Sequence, residues 1–244
     1  MVNWDEKAKE FGDSEYGAHS DKYLVMLENE FIEKQLKRIK PTNILDIGCG
    51  NGQRTKRWSE YASNETVGID SSEEMIKLAT KLENDKLTFY NGNVLDISTL
   101  VGSLSEFDVV ISARCLINMK SKQDQIKMIY EIAGILKDRG HFICVEGRET
   151  GTMMLNIERR KNGIKQLEGL EGNIDLSNVV IDTITSIFEK KEITSLGTYY
   201  TITRILTQLE SSDIKEVAMK LQVQHGDNLS ALGRHFCFCG QIPN

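Results

Sequence analysis

The sequence lacks an excess of positive charge, and this argues against one large class of partner. Its 244 residues carry 36 acidic and 30 basic side chains, which gives a formal net charge of -6. A general affinity for the phosphate backbone of nucleic acid requires the opposite balance. We therefore expect a small-molecule partner and no nucleic acid.

Paired cysteines and long apolar runs are also missing. The five cysteines are odd in number, scattered and mostly inside apolar runs, as is typical of reduced thiols. Cys237 and Cys239 form a C-x-C pair with no second pair at zinc spacing, so no metal site is expected. The first residues are too polar for a signal peptide, and no apolar run could span a bilayer. The expectation is a cytoplasmic protein without a membrane partner.

Short apolar runs alternate with helix-like stretches. Runs rich in Val, Ile, Leu and Phe suit strands that are buried on both faces. Alternating β and α units predict an α/β protein with a doubly wound, Rossmann-like sheet in three α/β/α layers, whose ligand lies at the carboxyl ends of the strands. The strands are predicted at residues 43–47, 66–69, 87–90, 108–112 and 141–145, and the helices between them at 55–61, 72–82 and 123–136.

The segments around this region complete a prediction of one domain, residues 1–244. Residues 1–40 carry several aromatic side chains and then helical spacing, and they are expected to form a lid. Residues 41–147 would be the cofactor-binding core, and the glycine- and charge-rich residues 148–198 a cap over the substrate. Residues 199–244 would hold the last part of the sheet.

This last part predicts two further strands around a helix. The strands are expected at residues 199–206 and 235–242, and the helix at 213–222. The prediction is therefore a sheet of seven strands with an antiparallel strand at the end. If residues 199–206 form such a strand, Tyr200 and Arg204 share one of its faces.

The stretch NILDIGCGNGQRT places three glycines at alternate positions directly behind the first predicted strand. Such a bend usually holds a nucleotide-like ligand. The dinucleotide pattern G-x-G-x-x-G fails because Gln53 stands where the third glycine should be, and no Lys-Ser or Lys-Thr pair completes a phosphate-binding loop. Asp46, just before the first glycine, would repel a pyrophosphate. A ligand with a cationic amino group fits better.

Two later strand ends carry groups that suit a nucleoside. Asp70 closes the second strand, where its carboxylate can accept hydrogen bonds from two vicinal ribose hydroxyls. Asn93 follows the third strand, and its side chain can bond an adenine edge, as can the backbone of Val94.

Five motifs carry a family resemblance: LDIGCGNG, VGIDSSEEMIKLA, GNVLD, FDVVISARCLINM and IAGILKDRGHFICVEG. In order and spacing they resemble the motifs of class I methyltransferases that use S-adenosylmethionine, over about residues 41–147. The resemblance implies that cofactor and a methyl transfer. A non-catalytic, cofactor-binding regulatory module stays the alternative.

The resemblance also implies a set of cofactor contacts. Asp46, Gly48 and Gly50 would hold the methionine part, and Asp70 the ribose. The segment after the fourth strand would pass beneath the sulfonium, and Tyr16 of the lid could offer it a ring face. The predicted cofactor-binding residues are Tyr16, Asp46, Gly48, Cys49, Gly50, Asp70, Ser71, Met75, Asn93, Val94, Ser112 and Ala113.

A second resemblance concerns the acceptor. RCLINM, VEG, LNIERRKNGI and GTYYTITR look like a group of bacterial methyltransferases of surface-polysaccharide and small-metabolite pathways, in which such residues face the acceptor. Because guanidinium groups bind carboxylates and phosphates through paired hydrogen bonds, we expect a small anionic or phosphorylated metabolite, or a sugar derivative, methylated on oxygen or nitrogen. The predicted substrate residues are Arg114, Asn118, Asn156, Arg159, Tyr199, Tyr200 and Arg204.

A hydroxyl acceptor also needs a base to take its proton. The candidates are His19 in the lid and Glu146 at the end of the fifth strand, with His235 as a third. The oligomeric state stays open between monomer and homodimer.

Overall fold

Seven strands form the centre of the protein. The computed structural model describes residues 2–14, 16, 21–101, 107–168, 172–206, 212–226 and 232–243. The strands are β1 Asn43–Ile47, β2 Glu65–Asp70, β3 Leu87–Asn91, β4 Phe107–Ala113, β5 Leu136–Gly147, β6 Glu189–Thr194 and β7 His235–Gln241. They lie in one sheet in the order β3-β2-β1-β4-β5-β7-β6.

Helices cover both faces of this sheet. They are α1 Trp4–Phe11, α2 Lys22–Ile39, α3 Gln53–Ser59, α4 Glu73–Ala79, α5 Ile97–Val101, α6 Lys122–Ile135, α7 Glu149–Lys161, α8 Asn178–Ile187, α9 Gly197–Thr201 and α10 Ser212–His225. Within the described ranges, none of the helices is both long enough and apolar enough to span a bilayer.

Neighbouring strands from β1 to β5 are parallel, and β7 runs antiparallel to both of its neighbours, β5 and β6. The predicted seven-stranded, Rossmann-like sheet is thus confirmed. The antiparallel strand comes last in the chain, but in space it lies between β5 and β6.

The alternation of side chains along β1 divides the core into two layers. Leu45 packs on one face with Ile129 of α6 and Ile184 of α8. Ile44 packs on the other face with Ile32 of α2. Because successive strand residues point to opposite faces, a run of apolar residues such as β1 can serve both layers at once. The burial of both faces of the sheet by helices confirms the predicted three layers.

The local helix signals of the sequence are also confirmed. Ser72 caps α4, since its Oγ accepts a hydrogen bond from the backbone N of Met75 at 3.1 Å. The helical spacing in residues 1–40 corresponds to α2, and the helix predicted at 213–222 corresponds to α10.

The strand predicted at residues 199–206 is wrong. This stretch forms α9 and a π-helical turn, Ile202–Leu206, while the sixth strand is β6, within the predicted cap. The described part of residues 199–244 therefore holds one strand, β7. Tyr199 and Tyr200 are both buried, so their strand-like composition reflects packing and not alternation. The run EKKEIT gave no strand signal because β6 is an edge strand, where charged side chains are tolerated.

Candidate functional site

The loop between β1 and α3 is tightly bound to the end of β2. The backbone N atoms of Gly48 and Cys49 donate to the carbonyl oxygen of Ile69 at 2.8 and 3.0 Å. Gly48 has a φ of 73°, and a Cβ there would lie 2.7 Å from the Cβ of Cys115. Gly50 also has a positive φ, 55°, but a Cβ there would meet nothing within 4 Å. The loop therefore leaves its Gly50 side open to a ligand.

Asp70 lies against this loop, as predicted from its place at the end of β2. Its Oδ2 accepts a hydrogen bond from the backbone N of Gly50 at 2.8 Å, and its Oδ1 accepts one from that of Ser72 at 2.9 Å. Burial raises the pKa of this carboxyl above its ordinary value. Each carboxylate oxygen has a second lone pair, so a pair of ribose hydroxyls can still bind.

Asp46 lies below the loop and is almost fully buried. Its Oδ2 accepts a hydrogen bond from the Thr55 hydroxyl at 2.5 Å. Burial raises the pKa of Asp46 to about 7. A cationic amino group placed beside this carboxyl would favour its ionised form, so Asp46 fits the amino acid part of the expected cofactor.

The side chains expected around the adenine are occupied by local contacts. Asn93 Oδ1 accepts a hydrogen bond from the backbone N of Leu95 at 3.0 Å and so caps the short 3-10 helix Val94–Asp96. Val94 is buried in the core. Of the other predicted cofactor contacts, Met75 is buried on α4 and Ser71 is exposed after β2. The adenine role of Asn93 and Val94 stays a prediction.

The amino-terminal segment is bound to the edge of the sheet that carries the glycine loop. Asp5 of α1 accepts hydrogen bonds from the Ser72 hydroxyl at 2.6 Å and from the backbone N of Glu74 at 3.3 Å. Asn51 Nδ2 donates to the carbonyl oxygens of Gly12 and Ser14, both at 2.9 Å. This is the position that a lid requires, although its movement stays a prediction.

Of the two predicted site residues in the lid, only Tyr16 is among the described residues, and it lies away from the glycine loop. His19 lies outside the described residues. Tyr16 lines a groove of about 710 Å³ with side chains of α2 and α10, among them Met26, Glu33 and Met219. No residue of the glycine loop lines this groove. The cofactor role of Tyr16 has no support from this geometry.

Glu146 at the end of β5 is fully buried and binds the loop after β4. Its Oε1 accepts hydrogen bonds from the Ser112 hydroxyl at 2.6 Å and from the backbone N of Cys115 and Leu116 at 2.9 and 3.0 Å. Its Oε2 accepts one from Ile117 at 3.3 Å. Burial raises the pKa of Glu146 to about 7, although these hydrogen bonds act to lower it. The geometry favours a role in shaping residues 112–117 over the expected role as base.

Arg114 turns away from solvent towards α2. Its backbone is left-handed, with φ 63°, and its Nε donates to Glu28 Oε1 at 2.8 Å, while its Nη2 bonds the same oxygen. His235 Nε2 lies 2.7 Å from that oxygen, and Arg54 Nη1 lies 3.4 Å from Oε2. Burial opposes ionisation, but Arg114, His235 and Arg54 hold the pKa of Glu28 well below its ordinary value. Glu28 is the centre of a buried charged cluster.

The other predicted substrate residues on α9 and the turn after it have protein partners as well. Arg204 Nη2 and the Tyr199 hydroxyl both donate to Asp21, at 2.9 and 2.7 Å. The Tyr200 hydroxyl lies 2.9 Å from His235 Nδ1. Arg204 therefore shares a partner with Tyr199, not Tyr200, which corrects the strand-based expectation.

Three further predicted substrate residues brace the chain. Asn118 Nδ2 donates to the carbonyl oxygen of Arg114 at 2.5 Å. Asn156 exchanges two hydrogen bonds with the backbone of Leu167, at 3.0 and 2.8 Å. Arg159 donates to the carbonyl oxygens of Lys165, at 2.7 Å, and of Arg204. The contacts of Asn156 and Arg159 hold α7 against the segment that follows it and against the turn after α9.

Sequence reasoning missed Asp21, Glu28 and Arg54, and it considered His235 only as a third base. Glu28 had a usable signal. It lies between Leu24 and Ile32 on the buried stripe of α2, at i+4 and i-4 from them, where a charged residue is rare unless it has a partner. Within the part of the chain that the structure describes, no group of three or more His, Cys, Asp or Glu side chains could hold a metal ion.

Comparisons with known proteins point to a methyltransferase. Residues 44–140 match a family model described as a methyltransferase domain. The protein MJ1252 of Methanocaldococcus jannaschii is 26% identical over 182 residues, which cover 72% of this chain and 66% of that one. Ajmaline N-methyltransferase of Rauvolfia serpentina is 30% identical over 99 residues, 38% of this chain and 33% of that one. The matched regions thus span less than two thirds of these relatives' lengths.

A solved structure has the same fold along the whole chain. It is the N-methyltransferase NodS of Bradyrhizobium japonicum WM9 in complex with S-adenosylhomocysteine, with a TM-score of 0.59, 16% identity and 100% of both chains covered. The domain match and the glycine loop with Asp70 support the resemblance to class I methyltransferases that use S-adenosylmethionine, and the solved structure shows that the fold is shared.

Proposed function

We propose that the chain transfers a methyl group from S-adenosylmethionine to an oxygen or nitrogen atom of a small acceptor. The observation that carries this proposal is the open glycine loop held by Asp70, with the buried Asp46 below it. The cofactor, when bound, supplies a methyl group on a sulfonium, which is already activated for transfer. Asp46 would hold its amino group and Asp70 its ribose, so the protein's main task is to place the acceptor in line.

The acceptor would bind beside Arg114, at the ends of β4 and β5. Glu28 Oε2 and Arg54 Nη2 are both buried there without a hydrogen-bond partner among the described residues. A buried polar atom that makes no hydrogen bond costs about 1 to 3 kcal/mol. A ligand that offers an oxygen to Arg54 and a hydroxyl or amine to Glu28 would remove that cost.

These two atoms support an anionic or phosphorylated metabolite, or a sugar derivative, as the acceptor. Arg54 can donate to a carboxylate or phosphate oxygen without losing a partner, whereas Arg114 and Arg204 would first have to exchange Glu28 and Asp21. The support for an anionic acceptor therefore comes from Arg54, a residue outside the predicted set.

The remaining features of the proposal concern access and location. The described part of the lid predicted at residues 1–40 would open to admit the acceptor and close to exclude water, with the segment after β5 as a cap. The five cysteines are buried thiols and not disulfides, which supports a cytoplasmic location. We retain monomer or homodimer as the proposed assembly.

The test has two stages. Calorimetry should show micromolar binding of S-adenosylmethionine and S-adenosylhomocysteine. A screen of phosphorylated sugars, carboxylates, neutral alcohols and amines, read out as S-adenosylhomocysteine formation, should then give turnover with anionic acceptors. Turnover with only neutral or cationic acceptors would reject the anionic class. Binding without any turnover would favour the alternative, a cofactor-binding regulatory module.

A further inference from the structure

We propose that Tyr200, His235 and Glu28 form a proton relay that removes the proton of a hydroxyl acceptor. This inference rests on the proposed methyl transfer and narrows its acceptor atom from oxygen or nitrogen to a hydroxyl oxygen. Tyr200 is the catalytic residue, because its oxygen meets the acceptor. His235 acts through it as a positioning residue, and so does Glu28 through its Oε1, whereas Glu28 Oε2 is left for the acceptor.

The three side chains form one continuous chain of hydrogen bonds. The Tyr200 hydroxyl lies 2.9 Å from His235 Nδ1, and His235 Nε2 lies 2.7 Å from Glu28 Oε1. The rings of Tyr200 and His235 are stacked, with centroids 5.7 Å apart. Tyr200, His235 and Glu28 are 3%, 5% and 0% exposed, so bulk water does not compete for these bonds.

The relay lies at the edge of the sheet where the transfer would take place. His235 is the first residue of β7 and pairs with Gly147, the last residue of β5. Glu28 also binds Arg114, which directly follows the end of β4. The carboxyl ends of β4 and β5 are the expected position of ligands in a doubly wound sheet. α2, α9 and β7 thus bring the three residues to the site from distant parts of the chain.

The charges around His235 fix its proton on one nitrogen. Glu28 is ionised beside Arg114 and Arg54, and two lone pairs would repel each other at the 2.7 Å between His235 Nε2 and Glu28 Oε1, so the proton of the neutral imidazole is on Nε2. Nδ1 then keeps its lone pair and accepts the Tyr200 hydroxyl. Burial, Arg114 and Arg234 lower the pKa of His235 and outweigh the opposite effect of Glu28, so the imidazole is neutral at pH 7. Burial raises the pKa of Tyr200, which holds its proton until it can pass it on.

The proton balance of the relay is complete. As the acceptor oxygen bonds to the methyl carbon, its proton passes to the Tyr200 oxygen and the Tyr200 proton passes to His235 Nδ1. The imidazolium then carries the positive charge that the sulfonium has lost, and Glu28 stabilises it, as carboxylates do in acid–histidine–hydroxyl triads. His235 later releases the proton to water. A neutral amine attacks through its lone pair before it loses a proton, so this device suits a hydroxyl.

Nitrogen NMR of the ligand-free protein tests the resting state of the relay without an acceptor. In a chain with ¹⁵N-labelled histidine, His235→Gln assigns the His235 signals among those of the 4 histidines. We expect the neutral Nε2–H tautomer at pH 7 and a shift of the Nδ1 signal in Tyr200→Phe. The matched control is Tyr61→Phe, which removes a hydroxyl bound to Glu33 and should leave both signals unchanged. A doubly protonated His235, or a proton on Nδ1, would overturn the relay.

Kinetic measurements then test whether the relay acts during methyl transfer. With an acceptor from the screen, Tyr200→Phe should lower kcat by about 10² to 10⁴-fold while S-adenosylhomocysteine affinity stays within about twofold. His235→Gln should also remove the acidic limb of the pH profile, which reports protonation of the imidazole. Methylation of amines alone, or a Tyr200→Phe protein as active as the parent, would reject the relay and leave methyl transfer intact. A parent that neither binds cofactor nor transfers methyl fails the proposed function and the relay with it, whereas the outcomes named above reject the relay alone.

Discussion

The two halves of the site are held together in different ways. In the cofactor half, at the ends of β1 and β2, Asp46 binds Thr55 nine positions away, and Asp70 binds the backbone of Gly50 twenty positions away. In the acceptor half, Glu28 binds residues 86 and 207 positions away, Arg114 and His235. A short motif can specify the first half by itself. The second half exists only when α2, α9 and β7 have packed together.

The largest expected effect is on stability and lies in the acceptor half. Glu28→Ala leaves Arg114 and Arg54 buried without their carboxylate, and loss of one partner of a buried charged pair costs about 3 to 5 kcal/mol. Chemical denaturation measures the change. Glu30→Ala on the exposed face of the same helix is the control, with an expected change within about 0.5 kcal/mol. Equal effects of the two variants would show that distant charges do not hold this half together.

A pH-dependent effect of up to about 3 kcal/mol is expected at Glu146, which binds residues 112–117 after β4. Burial raises its pKa to about 7 from 4.5, so between these values the folded chain keeps a proton that the unfolded chain has lost. Its contribution to the free energy of unfolding therefore falls as the pH rises through this window. Glu146→Gln cannot titrate, so its stability relative to the parent should improve from pH 5 to pH 8. A constant difference in denaturation experiments would contradict the raised pKa.

Gly48→Val should damage the cofactor half by about 2 to 3 kcal/mol, since a branched side chain at positive φ is strained and its Cβ would meet Cys115. If the loop shifts in response, the affinity for S-adenosylhomocysteine falls at least about 30-fold in calorimetry. Gly163→Ala is the control, because Gly163 also has a positive φ, 68°, but lies after α7. A Gly48→Val protein that binds S-adenosylhomocysteine with the parent's affinity would show that the glycine loop does not bind the cofactor.

The smallest expected effect concerns the lid. Asn51→Ala removes two hydrogen bonds to Gly12 and Ser14, which are worth about 0.5 to 1.5 kcal/mol each. Hydrogen exchange should show faster exchange of α1 in this variant and an unchanged β1. In the parent, S-adenosylhomocysteine should slow the exchange of α1. Equal protection of α1 with and without this ligand would reject the lid.

The cofactor half was predictable because its signals are local. The sequence predicted β1 with its observed bounds and the place of Asp70 from apolar runs and glycine spacing. These patterns depend on neighbours a few residues away. Their physical basis, strand burial and backbone dihedral angles, is the same in any protein.

The acceptor half was not predictable to the same extent because its order is set by tertiary contacts. The tyrosines of α9 have strand-like composition, but they are helical where their hydroxyls bind Asp21 and His235. Arg204 was expected to face an anion, and its partner is Asp21, 183 positions away. No local pattern encodes such a pairing. The sequence signal for these pairings was Glu28, a charged residue on the apolar stripe of α2.

Calorimetric titration of S-adenosylhomocysteine into the parent, Asp70→Ala and Arg204→Ala tests most directly whether the cofactor belongs to the first half alone. Asp70→Ala removes charge-assisted hydrogen bonds of about 1.5 to 3 kcal/mol each, so its affinity should fall at least about tenfold. Arg204 binds Asp21 in the other half, so Arg204→Ala should bind within about twofold of the parent. Parent-like affinity in Asp70→Ala, or equal losses in the two variants, would contradict the division of the site.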